Sequence, residues 1–111
     1  MTADSIDRIL AALADPHRRA AVDLLRDGPL AAGDLARRLG LTGPAMSRHL
    51  RVLREGGLVE ESHPPFDARV RIYALKGAPM GELKAWLNQT EALWSEQLLA
   101  FKVAVERGTP P

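Results

Sequence analysis

Apolar positions recur along this chain in two rhythms, one of three or four residues and one of two, and the switches between them divide it into elements. From about Ser5 to Ala14, Ile6, Ile9, Leu10 and Leu13 form one stripe of a short helix. Asp15-Pro16 then supplies an N-cap and a first-turn proline for a second helix, whose Ala21, Val22 and Leu25 face inward until Gly28-Pro29 stops it. A third helix is expected over about Ala32 to Leu39, closed by Gly40, and the next begins near Thr42 or Gly43. So short a turn makes two helices cross steeply. Leu35, Ala36, Leu39, Gly40, Leu41 and Met46 stand where a helix-turn-helix needs apolar anchors, a small residue at the crossing and a glycine in the turn.

The fourth helix, about Gly43 to Glu55, separates into two faces at about 100° per residue. Leu50 and Leu53 fall beside Met46, whereas Pro44, Ser47, Arg48, Arg51 and Glu55 gather opposite. After Gly56-Gly57, Leu58 to Ser62 and Arg69 to Leu75 read as two strands, joined by a turn over His63 to Ala68. Pro64-Pro65 cannot continue a ladder, which predicts a two-stranded wing with a stiff tip and with Arg69 and Arg71 on one face. The fold class expected is mainly α with a small β-hairpin: a winged helix-turn-helix with two leading helices and one trailing helix. The whole of residues 1–111 makes one domain, with the helix-turn-helix over about 32–55 and the wing over about 58–75.

A last helix, from about Pro79 to Arg107, is too long to be covered by so small a body. Met80, Leu83, Leu87, Thr90, Trp94, Leu98, Phe101 and Val105 recur along it at three or four residues, and Trp86 and Leu93 widen the stripe. Such a surplus apolar face calls for a second copy of itself. The first and last helices, about 5–14 and 79–106, are therefore expected to build a homodimer interface from Ile6, Ile9, Leu10, Leu13, Met80, Leu83, Leu87, Trp94, Leu98 and Phe101.

The net charge of +1 says little until it is divided along the chain. Arg37 to Arg71 holds seven arginines against four acids, whereas Pro79 to Glu106 holds two lysines against four glutamates. Positive charge thus gathers around the helix-turn-helix and wing, as a nucleic-acid partner requires. There is no cysteine, which excludes disulfides and thiolate metal sites. No apolar run approaches the roughly 20 residues that span a bilayer, and the acidic start Met1 to Asp7 is no signal peptide. A cytoplasmic protein without membrane partners is expected.

The run Leu41-Thr-Gly-Pro-Ala-Met-Ser-Arg-His-Leu-Arg-Val-Leu-Arg-Glu-Gly-Gly-Leu-Val59, in this order of elements, resembles the ArsR/SmtB family of bacterial repressors. The opening Ala12 to Arg19, Gly28-Pro-Leu and Arg71-Ile-Tyr-Ala-Leu75 agree with it, so that the resemblance covers roughly residues 5–106. It implies a dimeric repressor of operator DNA, able to regulate its own gene. The family's cysteine pair before the helix-turn-helix is replaced by Ala31 and Gly33, and residues 78–107 lack the Asp and His of its other familiar metal site. The metal-independent branch is therefore implied, with no cofactor. Gly43 also stands where a polar DNA-contacting side chain is common.

On this reading double-stranded operator DNA meets Thr42, Gly43, Pro44, Ser47, Arg48, His49 and Arg51 of the fourth helix, and Arg69 and Arg71 of the wing. Free N–H groups from Thr42 to Ala45 would hold a phosphate, and Arg48 would read guanine. His49 is expected to pack or bond a phosphate, and His17 and His63 have no partner at metal-ligand spacing. A non-cysteine metal sensor using His17 with Asp4 or Asp7 is one alternative; a winged helix that binds protein is another, which the basic face at Ser47, Arg48 and Arg51 opposes. No nucleophile triad, phosphate loop or paired carboxylates point to an enzyme. The inducing signal, operator sequence and target genes are not written in these residues.

Overall fold

Two of the helices begin where a capping side chain and a first-turn proline together take over orphan N–H groups. The computed structural model describes residues 3–108, and its chain order is α1 (Ala3–Leu13), α2 (Pro16–Leu25), β1 (Leu30–Ala31), α3 (Ala32–Leu39), α4 (Gly43–Glu55), β2 (Val59–Ser62), β3 (Ile72–Leu75) and α5 (Gly77–Glu106). Asp15 caps α2, its carboxylate accepting from the His17 and Arg18 N–H groups. Thr42 caps α4, its hydroxyl accepting from the Ala45 N–H at 3.2 Å. Gly40 closes α3 in the left-handed region at φ 67°, which a side chain would strain, and so turns the chain sharply into α4. These bounds agree with the predicted helix-turn-helix.

One core holds the elements together. Leu35 of α3 and Met46, Leu50 and Leu53 of α4 are completely buried, with Ala21 and Leu25 from α2, Ile9 and Ala12 from α1, Val59 and Tyr73 from the sheet, and Leu58 just before β2. Truncating such a leucine costs about 2–5 kcal/mol, a large share of a small domain's stability. The end of α4 packs against α1 at Gly56, where a β-carbon would come into van der Waals contact with Ala12 Cβ at 3.4 Å.

The sheet corrects the sequence reading in two ways. It has three antiparallel strands in the order β1-β3-β2, because Leu30 and Ala31 pair with Tyr73 and Ile72. Two residues are too few to show alternation. The returning strand also begins at Ile72, so Arg69 and Val70 lie in a turn. Asp67 causes this, since its carboxylate accepts from the Arg69 N–H at 3.0 Å while its carbonyl accepts from the Val70 N–H at 3.3 Å. Arg69 and Arg71 therefore do not share a strand face.

The first and last helices depart from expectation in opposite senses. Ile6 and Ile9 are buried within the single chain, at 5% and 1% exposure, and so leave little surface for a partner. Leu13 packs partly against the same core, and only Leu10 of that set is exposed. At the base of α5, Leu83 packs on the core and Glu82 accepts a hydrogen bond from the Ser5 hydroxyl at 2.6 Å. Beyond Thr90 the helix leaves the body, and every residue from 91 to 102 is exposed. The molecule is consequently a rod, 70 × 28 × 24 Å.

Candidate nucleic-acid interface

The α4 face opposite the core carries the candidate DNA-reading residues. With Met46, Leu50 and Leu53 buried, the 3.6-residue repeat turns Arg48 and Arg51 outward. Both are exposed, and among the described residues neither side chain makes an ion pair or hydrogen bond. Their guanidinium groups are free to meet phosphate or a guanine edge. Thr42, Gly43 and Pro44 form an exposed amino end. Its capacity for an anion is smaller than the sequence reading allowed, because Thr42 occupies the Ala45 N–H and Pro44 has none. Gly43 keeps the one first-turn N–H without a bond among the described residues.

Ser47 is half-buried and already engaged. Arg71 donates from Nη2 to Ser47 Oγ at 2.9 Å and from Nη1 to the Tyr73 hydroxyl at 3.3 Å. The Tyr73 hydroxyl in turn donates to Glu61 Oε2 at 2.5 Å, and Arg54 Nη1 reaches the same oxygen at 3.0 Å. His63 Nε2 lies 3.6 Å from the other Glu61 oxygen, and its Nδ1 donates to the Val70 carbonyl at 2.9 Å. Glu61 is thus the hub of a polar network that ties both ends of the outer α4 face to the wing. The Tyr73 O–H bond holds the Glu61 carboxyl below the usual carboxylate range against the upward push of burial, and Arg54, His63 and Arg71 add to the lowering. Burial and the bond to Glu61 raise the Tyr73 phenol above its ordinary value. Sequence spacing did not reveal this network, because its members come from three elements.

The wing tip is more exposed than its base. Arg69 bonds Asp67 through Nε at 3.2 Å, yet its side chain is 92% exposed. The Arg69 bonds hold the Asp67 carboxyl below its usual range. Phe66, at 89% exposure, is a residue the sequence reading passed over, although a lone aromatic ring after Pro64-Pro65 in a polar turn was its signal. Such a ring at a wing tip has the shape of an apolar minor-groove wedge.

His49 is half-buried beside α2, not displayed with the arginines. Arg18, held by the Ala12 and Ala11 carbonyls at 2.6 and 3.1 Å, directs Nη1 at His49 Nδ1 from 3.3 Å. His17 is not isolated, contrary to its spacing in sequence. The turn of α4 onto α2 brings His17, His49 and Asp15 together, with ligand atoms all within 4.8 Å of one another. Burial pushes the Asp15 carboxyl up, but the Arg18 and His17 N–H bonds with the charges of His49 and Arg18 leave it lowered.

The expected dimer residues divide along α5. Met80 and Leu83 lie near the body, while Leu87, Trp94, Leu98 and Phe101 are exposed at 50%, 62%, 61% and 51%. Trp94, Leu98, Phe101 and Val105 continue, into solvent, the stripe by which Leu83 docks on the core. No helix among the described residues is long and apolar enough to cross a membrane.

Comparison with known proteins agrees with this geometry. A family model described as a helix-turn-helix domain matches residues 13–62. The chain is 38% identical over 102 residues to the HTH-type transcriptional regulator Rv2034 of Mycobacterium tuberculosis, covering 92% of this chain and 90% of that protein. An ArsR-like transcriptional regulator from Rhodococcus sp. RHA1 superimposes with a TM-score of 0.74 at 29% identity, over 89% of this chain and 91% of its own. A homodimeric winged helix-turn-helix DNA-binding domain from Mycobacterium bovis, described as a possible ArsR-family transcriptional regulator, superimposes with a TM-score of 0.64 at 28% identity, over 85% of this chain and 84% of its own.

Proposed function

This chain belongs to the ArsR family of winged helix-turn-helix transcriptional regulators, and we propose that it is a homodimeric repressor whose paired α4 helices read an inverted-repeat operator. The observation that carries the proposal is the bare apolar stripe of α5. Trp94, Leu98, Phe101 and Val105 are all more than half exposed in the single chain, a larger apolar surface than a soluble monomer usually leaves in water. A twofold pairing along α5, joined by Leu10 and Leu87, covers it and sets the recognition helices at opposite ends of one assembly. Two such helices about 34 Å apart meet successive major grooves on one face of the duplex.

Arg48 and Arg51 then work at base edges and phosphates, with the Gly43 N–H on a phosphate and Ser47 presented through its bond to Arg71. Arg69 and Phe66 approach the adjacent minor groove, and Arg71 supports the joint between helix and wing. Repression follows from occupying a promoter, the chain's own included. The work is cytoplasmic and involves no chemical turnover. A protein-binding winged helix is disfavoured, since it would have no use for the unpaired Arg48 and Arg51.

Sedimentation and DNA binding test the proposal together. Wild type is expected to sediment as a dimer at micromolar concentration, and Leu98→Glu as a folded monomer that has lost most of its operator affinity. A wild-type monomer that still binds DNA at full affinity would remove the dimer from the mechanism.

A further inference from the structure

The Asp15, His17 and His49 cluster has a chemistry that the DNA interface does not use. Each member is placed by the fold for its own reason: Asp15 is held as the N-cap of α2, His17 stands in that helix's first turn, and His49 is carried in when Met46, Leu50 and Leu53 dock α4. The two imidazole centroids are 5.6 Å apart and the rings are tilted by 40°, which is not a stacked pair. His17 makes no side-chain hydrogen bond among the described residues; its Nδ1 only approaches Asp15 Oδ1, at 3.8 Å. The capping bonds also fall on Oδ1, which leaves Oδ2 as the oxygen for a further partner.

We propose that Asp15, His17 and His49 bind a divalent transition-metal ion of the zinc, cobalt or nickel class. Two imidazoles and one carboxylate are a borderline donor set that suits these ions, whereas magnesium and calcium select oxygen. Bonds of 2.0–2.1 Å in a tetrahedron put donor atoms about 3.4 Å apart, so the 4.8 Å cluster closes with a shift of about 1.4 Å. The exposed His17 side chain has the freedom to supply it. Three protein ligands leave the remaining position to water, as in open metal sites.

Arg18 opposes the ion without excluding it. Its guanidinium is anchored by the Ala11 and Ala12 carbonyls, and only Nη1 must give up its 3.3 Å contact with His49. That exchange gives the site a consequence. His49 lies between Arg48 and Arg51 on α4, so a bound ion fastens the start of α2 to the helix that carries the DNA-reading arginines. This consequence rests on the DNA-binding proposal; occupancy of the site does not.

The test uses the full chain free of DNA. Titration with Co2+ should produce visible d–d absorption that saturates at one ion per chain, and Zn2+ should displace it. His17→Ala, an exposed position that leaves the core intact, and His49→Asn should each weaken binding by more than the roughly 10–100-fold that loss of an outer-shell partner costs. Saturating Zn2+ should raise the thermal midpoint of the wild type and not that of the two variants. Circular dichroism checks that both variants stay folded, and Asp15→Asn extends the series at the price of the α2 cap. Absence of both the absorption and the thermal shift in the wild type would overturn the site, as would equal Co2+ binding by His17→Ala. DNA binding measured on the same preparation keeps the two proposals apart, because either failure leaves the other result standing.

Discussion

Replacing Tyr73 by phenylalanine removes one oxygen from the centre of the network that joins α4 to the wing. The ring is buried at 2% exposure and its packing is retained, so the change isolates the hydroxyl. What is lost is a 2.5 Å bond to the Glu61 carboxylate and a 3.3 Å bond from Arg71. Hydrogen bonds to a charged group contribute about 1.5–3 kcal/mol. The Glu61 side chain is 20% exposed, and screening reduces the expected loss to about 1–2 kcal/mol. Its pH dependence gives a second check. Because the folded-state pKa of Glu61 is depressed, the carboxylate's contribution is fully present above its unfolded value of about 4.3 and is lost as pH falls through the lower folded value. The Tyr73 bond is the largest cause of that depression. Urea unfolding at fixed protein concentration should show a constant gap between wild type and Tyr73→Phe at pH 5–7, narrowing toward that of a neutral bond below about pH 4. A gap below about 0.5 kcal/mol at neutral pH, or one unchanged down to pH 3, would refute the reasoning.

Thr42→Ala removes the cap on the Ala45 N–H and should cost about 1 kcal/mol in denaturant unfolding. Arg51→Ala should lower the slope of log K against log salt by about one if the guanidinium meets a phosphate, while an unaltered slope excludes that contact. Arg48→Ala should weaken preferred-site binding by about 1–3 kcal/mol and relax the choice of base at one position, as read by competition with substituted duplexes. Phe66→Ala, at a position 89% exposed, should leave stability within about 0.5 kcal/mol but weaken duplex binding by about 1 kcal/mol; no loss of affinity removes the ring from the interface.

The α2 start and the helix-turn-helix were legible because they carry their own punctuation. Asp15-Pro16, Gly40 and Thr42 satisfy or redirect backbone groups locally, so no tertiary information is needed to find those ends. β1 was hidden because two residues form a strand only once Tyr73 and Ile72 arrive beside them. Arg69 and Val70 fall in the two-residue rhythm of the strand that follows, a signal that the Asp67 turn bonds override. Ile6 and Ile9 shared a stripe with Leu10 in sequence, yet the packing of α1 against α2, α4 and α5 decides which of them remain outside. The arginine face of α4 followed from periodicity alone. The Glu61 hub and the Asp15, His17 and His49 cluster did not, since both join residues that only the packing of separate elements brings together.

Selection of bound duplexes from a random-sequence pool is the most direct measure of whether paired copies of this chain read DNA through α4. The purified protein should enrich inverted repeats with half-site centres about one helical turn, 10–10.5 base pairs, apart, and Arg48→Ala should blur the preference within each half. Enrichment of single asymmetric sites, or of no sequence at all, would contradict a twofold reader of an operator.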